Sequence, residues 1–201
     1  MTKIHWSSRL VIGIAALLML SAYYYPIWQI KLWAPQYPEG LSMQIWIDHL
    51  TGNLSSINNM NHYIGMREID EEMFPEFIYL KYVIGFIIGI GLIAAIVGRR
   101  IGLVIFFGLL IILGIGALVD MYLWGYDYGH NLDPTAAIKV PDMTYQPPLI
   151  GYKQLLNFLA YSGPHTAGYL IAVSTLLAGL VTLQEYGWIK KITKKIRRVK
   201  A

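Results

Sequence analysis

The chain predicts an α-helical integral membrane protein: four transmembrane helices, a small extracytoplasmic β-hairpin and a proline-rich outer loop. Three observations carry that expectation. Of the 201 residues, 56% are hydrophobic and 14% are charged, whereas a soluble domain carries about 25% charged residues. Uncharged runs recur at the length of a bilayer core. The basic residues sit in short blocks beside those runs, as orientation signals do. A mean hydropathy of +0.47 and these blocks together exclude a soluble enzyme, a coiled coil, a disordered scaffold and a nucleic-acid binder. Zero cysteines remove disulfides, zinc ribbons, iron-sulfur ligation, thiol nucleophiles and C-x-x-C-H haem attachment.

Residues 1–30 form a cytoplasmic N-terminus and the first span. Between Arg9 and Lys31 lie 21 uncharged residues, about the thickness of a bilayer core at 1.5 Å per residue. The run ends in Tyr23, Tyr24, Tyr25 and Trp28, an interfacial belt, so it is expected to be an uncleaved anchor rather than a signal peptide.

Residues 31–76 form an extracytoplasmic segment. Leu41, Met43, Ile45, Ile47 and His49 alternate with Ser42, Gln44, Trp46 and Asp48, the period of a half-buried strand. Thr51-Gly52-Asn53 supplies a turn, and the chain from Leu54 is expected to return as a second strand.

Residues 77–125 read as a transmembrane hairpin, with spans at 77–98 and 101–124 about the turn Gly98-Arg99-Arg100-Ile101-Gly102. Lys81 and Asp120 each lie about 18–20 residues, or roughly 27–30 Å, from Arg99-Arg100. That depth makes them an expected interfacial pair rather than a proton relay. Gly85, Gly89, Gly91, Gly108, Gly114 and Gly116 are expected helix-contact positions.

Residues 126–165 form a second outer segment, in which Pro134, Pro141, Pro147 and Pro148 stiffen an extended loop. Residues 152–161 are expected to lie along the interface as a helix. Ser162-Gly163-Pro164-His165 interrupts the last uncharged run, so residues 166–201 hold the fourth span, from Thr166 to Gln184, and a basic tail.

Lys3, Arg9, Arg99, Arg100 and the tail's Lys190, Lys191, Lys194, Lys195, Arg197, Arg198 and Lys200 make 11 of the 16 basic residues that face one side under this topology. Ten acidic residues, from Glu39 to Asp142, face the other. Both termini are therefore expected in the cytoplasm of a bacterial inner membrane, and the outer segments carry the chemistry.

Met60-x-His62-x-x-x-Met66 combines thioether and imidazole, the ligands that suit Cu(I). His49, His130 and His165, with Met43, Met73 and Met143, are also outside and complete a candidate mixed site. The plainer alternative makes Met60 and Met66 core filler and has His62 bonding loop backbone; on spacing alone it carries more weight. Asp127, His130 and Asp133 offer a second cluster, although solvated acids at a helix end are the commoner arrangement.

The segments WAPQYPEGL, LTG, NNMNHYIGM and DPTAAIKVPDMTYQPPLIGYKQLLNFLAYSGP resemble the small membrane proteins encoded beside the atypical, Sec-exported nitrous oxide reductase, a copper enzyme. The resemblance covers residues 35–66 and 131–165. It implies a non-enzymatic accessory role in assembling an exported copper oxidoreductase, supplying its copper or coupling it to membrane electron transfer. It also strengthens the copper reading, because residues 60–66 fall inside it.

The alternative is a structural or electron-transfer subunit of a respiratory membrane complex, without a catalytic site of its own. Haem b wants histidines deep in facing spans, and here the spans contain none. A transporter needs a polar path at the midplane, and the span centres are apolar. No G-x-S-x-G, P-loop or H-E-x-x-H motif is present.

Overall fold

A computed structural model describes residues 3–138 and 144–188. Four of its helices are long and apolar enough to cross a membrane: Trp6–Tyr23, Glu76–Val97, Arg100–His130 and Thr166–Glu185. The chain also builds a five-stranded antiparallel sheet. It divides into two compact units.

The first unit comprises the described residues of Met1–Ser21, Tyr82–Gly114 and Tyr169–Ala201. Helix α1 (Trp6–Leu18) continues as a 3-10 segment, Met19–Tyr23. Its buried face is Ser8, Ile12, Ala15 and Ala16, small side chains that let neighbouring backbones approach closely. Ser174, on α5 (Thr166–Glu185), donates from Oγ to the Ala15 carbonyl at 2.7 Å. A Cβ at Gly91, on α3 (Glu76–Val97), would lie 2.7 Å from the Ala16 Cβ and 2.6 Å from the Phe106 ring, so this expected contact glycine holds a close crossing. No heavy atom among the described residues lies within 4 Å of the corresponding point at Gly89, Gly108, Gly114 or Gly116. These four expected contact glycines make no such contact among the described residues.

One end of this unit is built from terminal helix groups. Helix ends leave backbone donors and acceptors unpaired. Glu185, 6% exposed, accepts from the His5 backbone N–H at 3.0 Å and from Ser8 Oγ, which places a carboxylate at the N-terminus of α1 as the helix dipole favours. Arg9 donates from Nε to the Ala95 carbonyl at 2.7 Å and from a terminal nitrogen to that of Ile96, closing the C-terminus of α3. Gly98 turns there at φ +66, and Ile4 N–H donates to its carbonyl. The Lys3 segment, the Arg99 turn and the end of α5 thus meet.

The second unit comprises Ala22–Lys81 and the described residues of Ile115–Gly168. The first helical segment ends at Tyr23, not at residue 30. Pro26 cannot continue a helix, and Trp28–Ala34 is strand β1, which pairs with β2 (Tyr37–Ile45) on one side and β5 (Phe158–Pro164) on the other. β3 (Leu50–Gly52) completes a hairpin with β2, and β4 (Gly151–Leu155) pairs with β5. The order is β3-β2-β1-β5-β4.

The alternation expected from residue 41 holds as far as Ile45, where β2 ends: Leu41, Met43 and Ile45 are buried in one core with Ile30 and Leu50. The hairpin turns at residues 46–49, and Thr51 and Gly52, expected in the turn, belong to β3. Two further expectations give way. Leu54–Ile64 is helix α2, not a returning strand, because Leu54, Ile57, Met60 and Ile64 recur at helical spacing and pack on that core. Residues 151–164 hold two strands, not an interfacial helix, since the free edge of β1 takes up the backbone donors and acceptors of β5, and β5 those of β4. Helix α4 (Arg100–His130) is longer than expected; no glycine-proline break occurs before Asn131. The Asp120 carboxyl on α4 lies against that of Glu76, a neighbour the hairpin argument did not include.

Candidate functional site

Helix α2 shapes the site. Asn53 N–H donates to the Ser42 carbonyl at 2.7 Å, and the Asn53 Oδ1 accepts from Ser42 N–H at 3.0 Å, which ties the start of α2 to β2. Gly65 ends the helix at φ +79, a left-handed value suited to glycine. Its carbonyl accepts from Asp133 N–H at 2.7 Å, and the Tyr63 carbonyl accepts from Ile138 N–H at 2.9 Å. The proline-rich loop is therefore docked along α2. Asn58 fixes the following segment by exchanging two hydrogen bonds with Ile69, at 3.0 and 2.9 Å.

A second docking places the Tyr145 segment on α4. Tyr145 N–H donates to the Gly129 carbonyl at 3.0 Å. A Cβ at Gly129 would fall 2.3 Å from the Gln146 nitrogen and 2.4 Å from its Cα, so only glycine permits this backbone approach.

Between these parts lies a cavity of about 830 Å³, within the range of about 300–1,000 Å³ typical of small-molecule sites. Ile30 and Leu32 of β1, Met43 of β2, Ile57, Met60 and Ile64 of α2, Trp124 and Tyr128 of α4, and Tyr145 are among its walls. The described wall residues include no charged side chain. The β4–β5 turn contributes Leu156, which sits at φ +52, a left-handed conformation costly for leucine.

Its polar wall residues are uncharged: Gln36, Tyr37, Asn59, Asn61, Tyr63 and Asn157 stand beside Trp124, Tyr128 and Tyr145. Asn61, 5% exposed, donates from Nδ2 to the Tyr128 hydroxyl oxygen. The Tyr145 hydroxyl and the Trp124 Nε1 are buried and find no hydrogen-bond partner among the described residues. Buried donors are ordinarily paired.

The structure distributes the candidate metal ligands as follows. Met60 and Met66 line the cavity together with Met43, and Gln36 Nε2 lies 3.7 Å from the Met60 sulfur. Met73 packs on the same core; Met143 lies outside the described residues. His62 is exposed on α2, edge-on to Tyr63, and is not a wall residue of the cavity. His49 bonds Asp48 at 2.7 Å and stacks on Trp46. His130 bonds the Tyr126 carbonyl at 2.8 Å through Nδ1 and stacks on its ring. His165 donates its backbone N–H to the Ile27 carbonyl, while its Nδ1 is buried without a partner among the described residues. Asp127 pairs with Arg67. Among the described residues, no group of three or more histidines and carboxylates is spaced to hold a metal. At the cavity, three methionines of the expected mixed set, Met43, Met60 and Met66, come together, and none of its histidines joins them.

Tyr128, Tyr145 and Trp124 were not singled out by sequence reasoning. Their signal was faint: Trp124 and Tyr128 each precede a glycine at the end of a long apolar run, and Tyr145 is a lone aromatic in the proline-rich loop. No protein-family model matches the chain, and a comparison with curated proteins returns no similar sequence.

Proposed function

We propose that this chain is a non-enzymatic, four-span membrane accessory protein serving an exported copper oxidoreductase of the nitrous oxide reductase kind, and that it works through the cavity of its second unit. The observation that carries this is the cavity: about 830 Å³, without a charged wall residue, and built mainly by the two segments assigned to the outer side of the membrane, with Ile30 and Trp124 from the adjoining span ends. The charge asymmetry supports that sidedness, with both termini cytoplasmic. The meeting of the Lys3 segment with the Arg99 turn is in keeping with it.

Among maturation, copper supply and membrane coupling, a largely apolar cavity without a charged wall residue supports coupling, because it suits a neutral lipid-soluble molecule better than an ion. One observation favours copper supply as a second reading. Met43, Met60 and Met66 share the cavity, and thioethers are soft ligands for Cu(I). On that reading these three sulfurs would hold the metal, which they would keep as Cu(I).

Deleting the gene in a host that exports such an oxidoreductase tests the role. Under the coupling reading, the enzyme accumulates with full copper content yet receives no electrons from the membrane. Under the copper reading, it accumulates copper-deficient. An enzyme fully loaded and fully reduced by membrane donors in the deletion strain overturns the accessory role.

A further inference from the structure

Taking the outer-side assignment of the second unit's segments, and independently of the cavity, we propose that the open face of the five-stranded sheet binds an acidic saccharide chain, the cell-wall glycan on that side. Ile30 and Leu32 of β1 pack in the core, so Gln29, Lys31 and Trp33 stand on the opposite face. The register places Gln44 beside Gln29 and Tyr161 beside Lys31, with Tyr152 next in line beside Tyr161. All six are exposed or half-buried.

Three of them form an aromatic platform. Trp33 and Tyr152 stack with ring centroids 6.4 Å apart, and the Tyr152 ring lies 4.8 Å from that of Tyr161. Two glycines let rings lie along the sheet: a Cβ at Gly40 would fall 2.7 Å from the Trp33 Nε1, and one at Gly163 would meet the Tyr161 hydroxyl. A phenol that reaches two residues along its own strand lies down on it rather than standing off.

A pyranose ring presents polarised C–H groups, which meet the negative face of an aromatic ring, and hydroxyls, which pair with amides in both directions. Trp46 Nε1 donates to Thr51 Oγ1 at 2.8 Å, and that hydroxyl donates to the Gln44 carbonyl at 3.0 Å, fixing one such amide beside Gln29. Charge sets the class of sugar. Among the described residues paired across this face, Lys31 is the only charged one; Glu39 and Asp48 fall outside the paired rows, and Asp48 bonds His49. A single cation between stacking rings and amides complements a carboxylate on the sugar. A bilayer surface also recruits tryptophan, tyrosine and lysine, but it takes rings that project into it, whereas these lie along the sheet.

The test uses the full chain in lipid nanodiscs and isothermal titration calorimetry, with empty nanodiscs as background. The probe is a tetrasaccharide of alternating N-acetylglucosamine and N-acetylmuramic acid, stripped of peptide so that its lactyl carboxylates are free. Chitotetraose, with the same linkage and no carboxylate, is the comparator. Saturable binding of the acidic probe is expected, with chitotetraose weaker by about two- to fivefold, the worth of an exposed ion pair. Lys31→Gln should abolish that preference, while Trp33→Ala and Tyr152→Ala should each weaken both sugars by about three- to tenfold. The chain has zero cysteines, so Tyr152→Cys supplies a unique thiol, which a water-soluble maleimide should label and the acidic probe should protect.

Binding no greater than that of empty nanodiscs overturns the proposal. Equal affinity of wild type for the two sugars overturns the acidic class, and binding unchanged in both Trp33→Ala and Tyr152→Ala overturns the platform. A thiol labelled in detergent but shielded in nanodiscs places the face on the lipid surface and overturns it too. Tyr152 is 67% exposed and Lys31→Gln keeps its hydrocarbon stem, so these variants decide the matter even if Trp33→Ala misfolds, as circular dichroism would show.

Discussion

Gly129→Ala should destabilise the second unit, and the size of the effect follows from the geometry. The added methyl would sit 2.3 Å from the Gln146 nitrogen and 2.4 Å from its Cα. These are backbone atoms, so no rotamer change relieves the clash, and the Tyr145–Gln146 strand of chain must move away from α4. Overpacking of this kind costs about 1–3 kcal/mol. Movement also lengthens the 3.0 Å bond from Tyr145 N–H to the Gly129 carbonyl, a further loss of about 1 kcal/mol. Against this, alanine gains about 0.5–1 kcal/mol over glycine within a helix. The net expectation is a loss of about 1–3 kcal/mol, summed from these terms. Gly114→Ala on the same helix is the control, because nothing among the described residues lies within 4 Å of its Cβ position. Thermal unfolding of the detergent-solubilised variants, followed by circular dichroism, should show Gly129→Ala melting below wild type and Gly114→Ala not below it. Equal melting of the two variants would refute the close approach of the Tyr145 segment to α4.

Three further outcomes are expected. Glu185→Ala removes the acceptor of both His5 N–H and Ser8 Oγ and should cost about 2–3 kcal/mol in unfolding experiments, whereas Glu185→Gln keeps a carbonyl acceptor and should cost less; equal losses would show that packing, not hydrogen bonding, sets the effect. Reporter fusions at Ala201 and at Asn53 should label opposite sides of the membrane, and same-side labelling would overturn the topology. Cu(I) retention separates the two metal readings: if the cavity thioethers hold copper, the Met60→Leu, Met66→Leu double variant loses it while His62→Ala keeps it. The reverse would restore His62 as the ligand, and no retention by wild type would remove copper from the site.

The features legible in the sequence are those encoded by neighbours along the chain. Residues 77–98 and 166–184 announce helices because an apolar run of that length, broken in the first only by Lys81, has one use, and Pro164 and Gly98 punctuate them where the helices begin and end. The alternation of Leu41, Met43 and Ile45 gave a buried face, since side chains of a strand point to opposite sides at every step. The helix at Leu54–Ile64 was within reach too: its apolar residues recur at helical spacing and Gly65 follows, but three asparagines and two serines made a turn and strand look more natural.

Only tertiary structure decided that Trp28–Ala34 leaves the first apolar run to become the central strand, joined to Phe158–Pro164 across some 130 residues of chain. Strand pairing depends on which edge donors and acceptors meet, and no local pattern states the partner. The same reason hid the cavity. Tyr128, Tyr145 and Trp124 are ordinary aromatics in the sequence, and come to line one cavity because Gly129 lets one stretch of backbone lie on another. The histidines show the converse: His49 and His130 looked like ligands by type, but each is engaged by a residue within four positions of itself. Residue type was written locally, while convergence around a common space was set by contacts between distant parts of the chain.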